Sequence, residues 1–350
     1  MKHSSQPTMK DVAREAGVAL GTVSRVFNGF PVGDEYRRRV ESAAEKLGYQ
    51  VNNYARALKT NKTFCVGLLM PSLRHPFFAV LTDELTASLM RRGYLTHVMI
   101  TNFDPEAERK SFTLIEQNKV DGIIALTYRP VLTPDPEVPI VSIDRSFGDQ
   151  IPCVSSDNYR GGQIAAEKLI ELGCRKLLFL RIGPLIQSEA DRRREGFEEA
   201  CLRIGTAHES FIVNSDETED PIYRFLENHI HGGRCDFDGI FCNTDGLARR
   251  VCIWLEERAV RVPDDVQIIG YDGIVDFATG RYVCSTIVQP LPQMAERAVE
   301  ILLGDDPHPG VASHILPVSY VSGGTTRDGP TAPTALNLYD PFRHVEQLPV

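Results

Sequence analysis

Apolar residues at helical spacing predict two short helices between Met9 and Asn28. Each has an apolar stripe on one face, formed by Val12, Ala13 and Ala16 in the first helix and by Val23 and Val26 in the second. Gly17 lies between them and can adopt the positive φ angle that turns the chain. A third amphipathic segment, Asp34 to Leu47, has an inner face of Val40, Ala43, Ala44 and Leu47. This spacing predicts a helix-turn-helix unit, whose second helix can enter a DNA major groove.

From Phe64 onward, short apolar runs alternate with amphipathic stretches. The predicted strands are FCVGLLMP, LTHVMIT, DGIIALT and PIVSID in a first block, KLLFLRI, SFIVNS, GIFCNTD and VQIIGYDG in a second, and STIVQP and HILPVSYVS near the end. The predicted helices are residues 77–92, 106–119, 159–172, 189–204, 221–231, 246–258 and 294–303. Such alternation is typical of parallel sheets covered on both faces. We therefore expect two doubly wound α/β lobes with a cleft at the carboxyl ends of their strands.

The charge distribution divides the chain at the same place. Residues 1–63 contain 11 Lys and Arg against 6 Asp and Glu, a formal charge of +5, whereas the remainder contains 27 against 41, a charge of -14. A basic head on an acidic body can approach DNA while the body stays out of the phosphate field. The length of 350 residues allows two or three domains, and 42% apolar residues are ordinary for a soluble protein.

The cysteines and the amino terminus indicate a cytoplasmic protein. The eight Cys residues form no C-x-x-C pair and have no zinc-ligand spacing, so we expect reduced, buried thiols rather than disulfides. The first ten residues, MKHSSQPTMK, contain no apolar segment typical of a secretion signal. No stretch reaches the length of about 18 apolar residues that a membrane span needs. We expect no cofactor and no metal site.

The head matches a known family over a long run. The segments T-M-K-D-V-A-R-E-A-G-V, T-V-S-R-V-F-N-G and G-Y-Q-V-N-N-Y-A-R-A-L-K resemble the amino-terminal domain and hinge of the lac repressor (LacI/GalR) family. The resemblance implies a helix-turn-helix domain at 1–50, a hinge helix at 51–63 and an effector-binding, dimerising core at 64–330 that resembles type 1 periplasmic binding proteins. The implied lobes are about 64–157 with 286–315, and 158–285 with 316–330. Residues 331–350 form a tail to which we assign no role.

The resemblance places Leu20, Gly21 and Arg25 at the base-reading positions of the second helix. Arg25 can donate two hydrogen bonds to a guanine edge, Leu20 can contact a thymine methyl group, and Gly21 has no side chain to contribute. Thr22 and Ser24 are expected to bind phosphates. Further DNA contacts are expected from Asn28 and Tyr49 and, in the hinge, from Asn52, Ala55, Leu58 and Lys59.

Three positions in the head and hinge carry specific expectations. Leu58 occupies the place of the leucine that the family inserts between base pairs in the minor groove. Because the hinge segment has little apolar surface, a plain linker remains the alternative. Ala19 stands at an N-cap position where relatives usually have Ser or Thr, and Gly21 has a low helix propensity. The reading helix is therefore expected to be marginally stable without DNA.

The family's effector contacts map onto residues at the ends of predicted strands and helices. They are Phe77, Asp144, Arg145, Asp157, Arg193, Thr244, Asp245 and Asp272. Carboxylates, an arginine and an aromatic face suit a hydroxyl-rich ligand such as a sugar. Each of the four aspartates ends a predicted strand, where Asp often caps the next helix, so capping is the alternative role. Relatives that bind sugars often have an aromatic near residues 216–220, where this chain has Glu217 and Thr218, although Tyr223 or Phe225 could substitute.

These features favour a regulator over an enzyme. The sequence contains none of the G-x-G-x-x-G, G-x-x-x-x-G-K-[ST], H-E-x-x-H or G-x-S-x-G motifs in a suitable context. A solute-binding protein of the periplasmic type is the alternative, but the basic head and the missing signal peptide speak against it. We expect a homodimeric repressor that reads a near-palindromic operator and responds to a cytoplasmic metabolite bound between its lobes.

Overall fold

The computed structural model describes residues 7–27, 30–49, 62–117, 119–127, 138–148, 150–183, 188–214, 220–276, 278–306, 310 and 312–329. Within these residues the chain forms two compact units, Met1–Phe64 and Cys65–Val350. The smaller unit is the helical head, and the larger one is the α/β core.

The head is a three-helix unit, as predicted. Its helices are α1 (Met9–Ala16), α2 (Leu20–Phe27) and α3 (Asp34–Leu47). All residues of the three predicted stripes are buried except Leu47, which is partly buried and packs against the others. Gly17 ends α1 with a φ angle of 61°. Arg39 of α3 donates from its Nη2 atom to the Ala16 carbonyl oxygen at 2.7 Å, so it closes the carboxyl end of α1.

The first lobe of the core contains a six-stranded parallel sheet. Its elements are β1 (Cys65–Met70), α4 (Pro76–Arg91), β2 (Leu95–Ile100), α5 (Pro105–Gln117), β3 (Gly122–Ala125), β4 (Ile140–Ile143), β5 (Cys153–Ser156), α10 (Leu291–Leu303) and β15 (Ser313–Leu316). The strand order is β15-β5-β4-β3-β1-β2. Helices α4 and α10 pack against each other, and Glu296 of α10 bonds to Ser88 at 2.7 Å and to Arg91 at 3.1 Å.

The second lobe repeats this architecture. Its elements are α6 (Asn158–Glu171), β6 (Lys176–Gly183), a 3-10 turn (Glu189–Asp191), α7 (Arg192–Ile204), β7 (Ala207–Asn214), α8 (Asp220–Glu227), β10 (Gly239–Cys242), α9 (Asp245–Glu256), β11 (Gln267–Asp272), β14 (Ser285–Val288) and β16 (Ser319–Val321). The strand order is β16-β14-β11-β10-β6-β7, and only β16 is antiparallel to its neighbour. Two small hairpins complete it: β8 (Ile230–His231) with β9 (Arg234–Cys235), and β12 (Val275–Asp276) with β13 (Arg281–Tyr282).

Three crossovers join the lobes, and they correct two expectations. Strand β14 pairs with β11 as far as Val288, so the chain returns to the first lobe only after that residue and not at 286. Pro290, which has no N–H group, follows the last strand pair. The run HILPVSYVS is not one strand, because it divides at Pro317 into β15 in the first sheet and β16 in the second.

Other differences from the predicted elements are local. We expected a strand to end at Asp157 but gave no bounds for it, and we did not predict either hairpin; these strands are only two to four residues long. Helix α10 begins at Leu291 instead of Met294, because Pro292 is tolerated in a first helical turn. Helix α8 ends at Glu227 and not at His231, where the chain has already entered β8. All eight cysteines are free thiols, and all except Cys235 are buried.

Candidate nucleic-acid interface and ligand cavity

The outer face of α2 presents the predicted base-reading residues. Leu20 is 42% exposed. Gly21 and Arg25 are also exposed, whereas Thr22 and Ser24 are half-buried. The Arg25 Nη2 atom donates to the Pro31 carbonyl oxygen at 3.2 Å. Because this bond uses one nitrogen, the guanidinium keeps further donors for a base edge.

The remaining predicted DNA contacts are divided between the described and undescribed parts of the chain. Tyr49 is half-buried, and its ring centroid lies 5.4 Å from that of Phe27, so its ring belongs to the core of the head. Outside the described residues lie Asn28, Asn52, Ala55, Leu58 and Lys59, together with nearly all of the predicted hinge at 51–63.

A cavity of about 450 Å³ lies between the two lobes of the core. Six of the eight predicted effector residues line it, and they are Phe77, Asp144, Arg145, Arg193, Thr244 and Asp272. The other described lining residues are His75, Phe78, Phe103, Leu126, Thr127, Ile143, Arg181, Ile182, Gly183, Ser188, Ala190 and Asn243. The cavity is thus formed at the carboxyl ends of strands from both sheets, where doubly wound folds bind ligands.

Arg193 is held in place by protein acceptors on two sides. Its Nε atom donates to Asn158 Oδ1 at 2.7 Å, and its Nη1 atom donates to the Asn243 carbonyl oxygen at 2.6 Å. Its guanidinium carbon lies 3.6 Å from the centroid of the Tyr271 ring. With Nε and Nη1 bonded internally, the guanidinium is rigid, and Nη2 is the nitrogen left for a ligand.

A close crossing of two helices positions Arg193. A Cβ atom on Gly162 of α6 would lie 1.9 Å from the Arg193 carbonyl oxygen, and one on Gly196 of α7 would lie 1.9 Å from the Tyr159 carbonyl oxygen. Only glycine fits at either position. The two backbones therefore touch, and this contact sets the depth at which Arg193 enters the cavity.

Asp272 is oriented by Gln289, which lies in the crossover after β14. The Gln289 Nε2 atom donates to Asp272 Oδ1 at 2.8 Å, and Ser156 Oγ donates to Gln289 Oε1 at 2.8 Å. Arg193 Nη1 lies 3.8 Å from the same Asp272 oxygen. The other oxygen, Asp272 Oδ2, is buried and has no hydrogen-bond partner among the residues that the structure describes. A ligand donor is the natural partner for this acceptor.

Asp144 provides a second buried acceptor from the first lobe. Its Oδ1 atom is buried, and no described residue forms a hydrogen bond with it. Its carbonyl oxygen accepts a hydrogen bond from the Glu189 N–H group at 3.0 Å. Since Asp144 follows β4 and Glu189 lies in the second lobe, this bond joins the two lobes at the edge of the cavity.

Burial dominates the electrostatics of the cavity. It raises the pKa of Asp144 to about 6, although Arg193 opposes the change. It also raises the pKa of Asp272, again against Arg193. Burial and the charges of Arg193 and Arg250 lower the pKa of His75 to about 4, so this imidazole is neutral at pH 7. Hydrogen-bond donors on a ligand would therefore stabilise the ionised form of both Asp144 and Asp272.

Two predicted effector residues do not line the cavity. Asp157 caps α6, where its side chain accepts a hydrogen bond from the Arg160 N–H group at 2.9 Å, which is the alternative role considered above. Asp245 is completely buried and accepts from the Ile274 N–H group at 2.7 Å. Burial and the nearby charge of Asp272 raise its pKa well above the usual value. It supports the loop after β11 and does not face the cavity.

The aromatic wall of the cavity comes from the first lobe. Phe77, Phe78 and Phe103 form it, and the Phe77 and Phe78 ring centroids are 5.4 Å apart. Tyr223 and Phe225, the proposed substitutes for a sugar-stacking aromatic, are not part of it. Tyr223 stacks on Trp254 and Phe225 stacks on Phe211, so both belong to the core of the second lobe. Glu217 and Thr218 lie outside the described residues.

Sequence reasoning missed several polar lining residues. The main ones are His75, Thr127, Arg181, Ser188 and Asn243. Asn243 directly precedes the predicted Thr244, and Arg181 lies within a strand that we read as purely structural. His75 directly precedes the Pro76 that opens α4. A systematic search of the residues that follow each strand would have found Thr127 and Asn243.

The described parts of the chain contain neither a candidate membrane span nor a candidate metal site. No helix there is both long and apolar enough to cross a lipid bilayer. Within the same residues, no group of three or more His, Cys, Asp or Glu side chains is placed to hold a metal ion.

Comparison with known families assigns both units. Residues 8–52 match the family described as bacterial regulatory proteins, lacI family. Residues 63–299 match the family described as periplasmic binding proteins and sugar binding domain of LacI family. The second match covers more than half of the chain.

Individual relatives extend the match over nearly the whole chain. The sucrose operon repressor of Streptococcus mutans is 32% identical, over 90% of this chain and 98% of the relative. The ribose operon repressor of Bacillus subtilis is 34% identical, over 91% of this chain and 98% of the relative. The crystal structure of the lac repressor dimer bound to operator and the anti-inducer ONPF shares the fold, with a TM-score of 0.73, 22% identity and coverage of 92% of this chain and 100% of that one. With a helix-turn-helix head, two periplasmic-binding-like lobes and full-length relatives of this kind, the chain belongs to the LacI family of DNA-binding transcriptional regulators with a ligand-binding core.

Proposed function

We propose that the chain is a homodimeric repressor of a near-palindromic operator and that a small, neutral, polyhydroxylated metabolite in the cavity controls its operator affinity. The observation that carries the ligand class is a pair of buried carboxylate oxygens, Asp144 Oδ1 and Asp272 Oδ2, for which the described part of the chain supplies no hydrogen-bond partner. A hydroxyl group can donate to either oxygen, whereas a phosphate or carboxylate would bring a like charge. The three phenylalanines cover the apolar C–H face that such a ligand also has.

The chemistry of the head supports sequence-specific DNA recognition by α2. Arg25 and Leu20 are exposed and differ in the base edges that they can contact, so they carry the specificity. Thr22 and Ser24 bind phosphates and set the register. Leu58, outside the described residues, inserts into the minor groove at the centre of the operator.

A change in the angle between the lobes couples the cavity to the head. The lobes are joined by three crossovers and by the hydrogen bond between Glu189 and Asp144, so a ligand that contacts both lobes favours one arrangement. In a dimer, that arrangement changes the spacing of the two segments that lead to the heads. A coupling free energy of about 1 to 3 kcal/mol would be typical.

The test combines ligand binding with operator binding. Selection from random duplex DNA identifies the operator, and a thermal-shift screen with D-ribose, D-fructose, sucrose and cellobiose identifies a sugar that raises the melting temperature. We expect that sugar to change operator affinity of the wild type and not of Arg193→Met. Arg203→Met, which replaces an exposed arginine outside the cavity, is the control and should respond like the wild type.

Two results would contradict the proposal. If sugar phosphates raise the melting temperature and neutral sugars do not, the ligand is an anion. If Arg193→Met keeps the full sugar response of operator binding, the effector binds elsewhere in the protein.

A further inference from the structure

His75 occupies a helix N-cap position without acting as a cap. Its carbonyl oxygen accepts the first hydrogen bonds of α4, from the Phe78 N–H group at 3.1 Å and the Ala79 N–H group at 3.2 Å. Its imidazole makes no capping bond. Ser, Thr, Asp and Asn are preferred at this position because their side chains can accept such a bond. The imidazole is therefore free for another role, and it lines the cavity.

The imidazole faces Asp272 across the cleft between the lobes. His75 Nε2, at the start of α4 in the first lobe, lies 4.0 Å from Asp272 Oδ2, at the end of β11 in the second lobe. This distance is too long for a direct hydrogen bond. An oxygen placed about 2.8 Å from both atoms would subtend an angle of about 90° between them, which suits a hydroxyl that accepts one bond and donates another. The gap thus has the dimensions of a single hydroxyl group.

Both atoms are chemically prepared for such a bridge. Gln289 Nε2 donates to Asp272 Oδ1 at 2.8 Å, which turns Oδ2 toward His75, and no described residue bonds to Oδ2. His75 is neutral at pH 7, because burial and two arginines lower its pKa to about 4. The nearby carboxylate favours the tautomer that carries its proton on Nε2. His75 then offers a donor and Asp272 an acceptor, which is the pair that one hydroxyl can satisfy.

We propose that His75 is a specificity-determining residue of the cavity, and that one hydroxyl of the effector bridges His75 Nε2 and Asp272 Oδ2. This inference rests on the proposed polyhydroxylated effector. The hydroxyl enters while the lobes are apart, and the bridge forms as they close around it. A ligand that lacks this hydroxyl can bind one lobe or the other, but it loses the contact that holds both. His75 therefore selects ligands by their ability to close the cleft.

The experiment measures binding of the sugar that responds in the thermal-shift screen, by titration calorimetry on the full-length chain. His75→Leu removes the donor, and we expect affinity to fall by about 10- to 100-fold, since the bridging hydroxyl loses one partner in a buried site. His75→Gln retains an N–H donor and should recover part of the affinity. His231→Leu is the matched control, because His231 is exposed on the β8–β9 hairpin and does not line the cavity.

A double-mutant cycle separates a bridge from two independent contacts. If one hydroxyl serves both residues, His75→Leu should have little further effect in an Asp272→Asn background. If the loss of sugar affinity in the double variant equals the product of the losses in the two single variants, the two residues bind different groups and the bridge is wrong. The melting temperature of each variant without sugar shows whether it is folded.

The same data distinguish failure of the bridge from failure of the proposed function. If a neutral sugar binds the wild type and His75→Leu equally well, the bridge is wrong and the polyhydroxylated effector stands. If no neutral sugar in the panel stabilises the wild type while sugar phosphates do, the effector class is wrong and the bridge fails with it.

Discussion

Asp144 and Asp272 have positive φ angles of 55° and 119°, a backbone conformation that residues other than glycine rarely adopt. Each lies at the end of a central strand and turns a carboxylate toward the cavity. Such strain costs about 1 to 3 kcal/mol and is found mainly where function requires it. The neighbouring Gly273 also has a positive φ angle. A Cβ atom on it would lie 2.9 Å from the Val288 side chain, so this turn requires glycine.

The raised pKa of Asp144 predicts a pH dependence of stability. A carboxyl group whose pKa is about 6 in the folded protein and about 4 when unfolded destabilises the fold as pH rises through this interval. We expect the free energy of unfolding of Asp144→Asn at pH 7 to exceed that of the wild type by about 3 kcal/mol. The difference should disappear below about pH 4. Urea unfolding without sugar measures it, and a variant less stable than the wild type at pH 7 would contradict the assignment.

The same carboxylate predicts the opposite trend for ligand binding. Hydroxyl groups donate to the ionised form, so affinity for a neutral sugar should fall as pH drops through about 6, where Asp144 becomes protonated. Calorimetric titration over this range measures the slope. In Asp144→Asn, sugar affinity should depend less on pH. The pH dependence that remains comes from Asp272, whose pKa is also raised.

Ala19 predicts a stabilising substitution in the head. The Ala19 carbonyl oxygen accepts from the Thr22 and Val23 N–H groups at 2.9 and 3.3 Å, as an N-cap residue does, but its side chain cannot accept a hydrogen bond. Ala19→Ser should stabilise the head by about 1 kcal/mol. Thermal unfolding followed by far-UV circular dichroism measures the gain, and Ala19→Val, which also lacks an acceptor, should show none.

The crossing of α6 and α7 predicts a large effect of two small substitutions. Gly162→Ala or Gly196→Ala would place a methyl group against the backbone of the other helix and force the pair apart, at a cost of about 3 kcal/mol. Because Arg193 lies on α7, sugar affinity should fall as well. Gly246→Ala is the control, since a Cβ atom there has no neighbour closer than 3.6 Å. Equal stability of all three variants would show that the helices do not touch as described.

At the scale of elements, hydrophobic periodicity predicted most helices and strands of the α/β core. It failed for the shortest strands and for the segments that cross from one lobe to the other. Long strands such as β6 and long helices such as α7 have clear patterns. The run HILPVSYVS looks like one strand because both halves are apolar, and only the pairing partners show that it belongs to two sheets. The predicted lobe boundary at residue 286 was wrong for the same reason: only the pairing of β14 with β11 over its whole length shows that β14 belongs to the second lobe.

The single tryptophan predicts how the whole molecule unfolds. Trp254 is 9% exposed in the second lobe, where it stacks on Tyr223, and the head contains no tryptophan. Its fluorescence therefore reports the core alone, whereas circular dichroism reports both units. We expect the sugar to raise the fluorescence midpoint and to leave a separate head transition unchanged, because it binds only the folded core. A shift of both transitions together would mean that head and core unfold as one unit.

The amino-acid sequence by itself determined the three-helix head, the two α/β lobes and six of the residues that line the cavity. These features depend on local periodicity, on turn residues and on a long match to one family. The tertiary structure alone decided which acidic residues face the cavity: Asp144 and Asp272 line it, whereas Asp157 caps a helix and Asp245 is buried behind it. It also placed His75 opposite Asp272. We expected all four aspartates to end strands, so no local pattern separates them. In the fold, Asp144 and Asp157 directly follow strands, Asp272 is the last residue of β11 and Asp245 is the first residue of α9, and the role of each depends on the residues that pack around it.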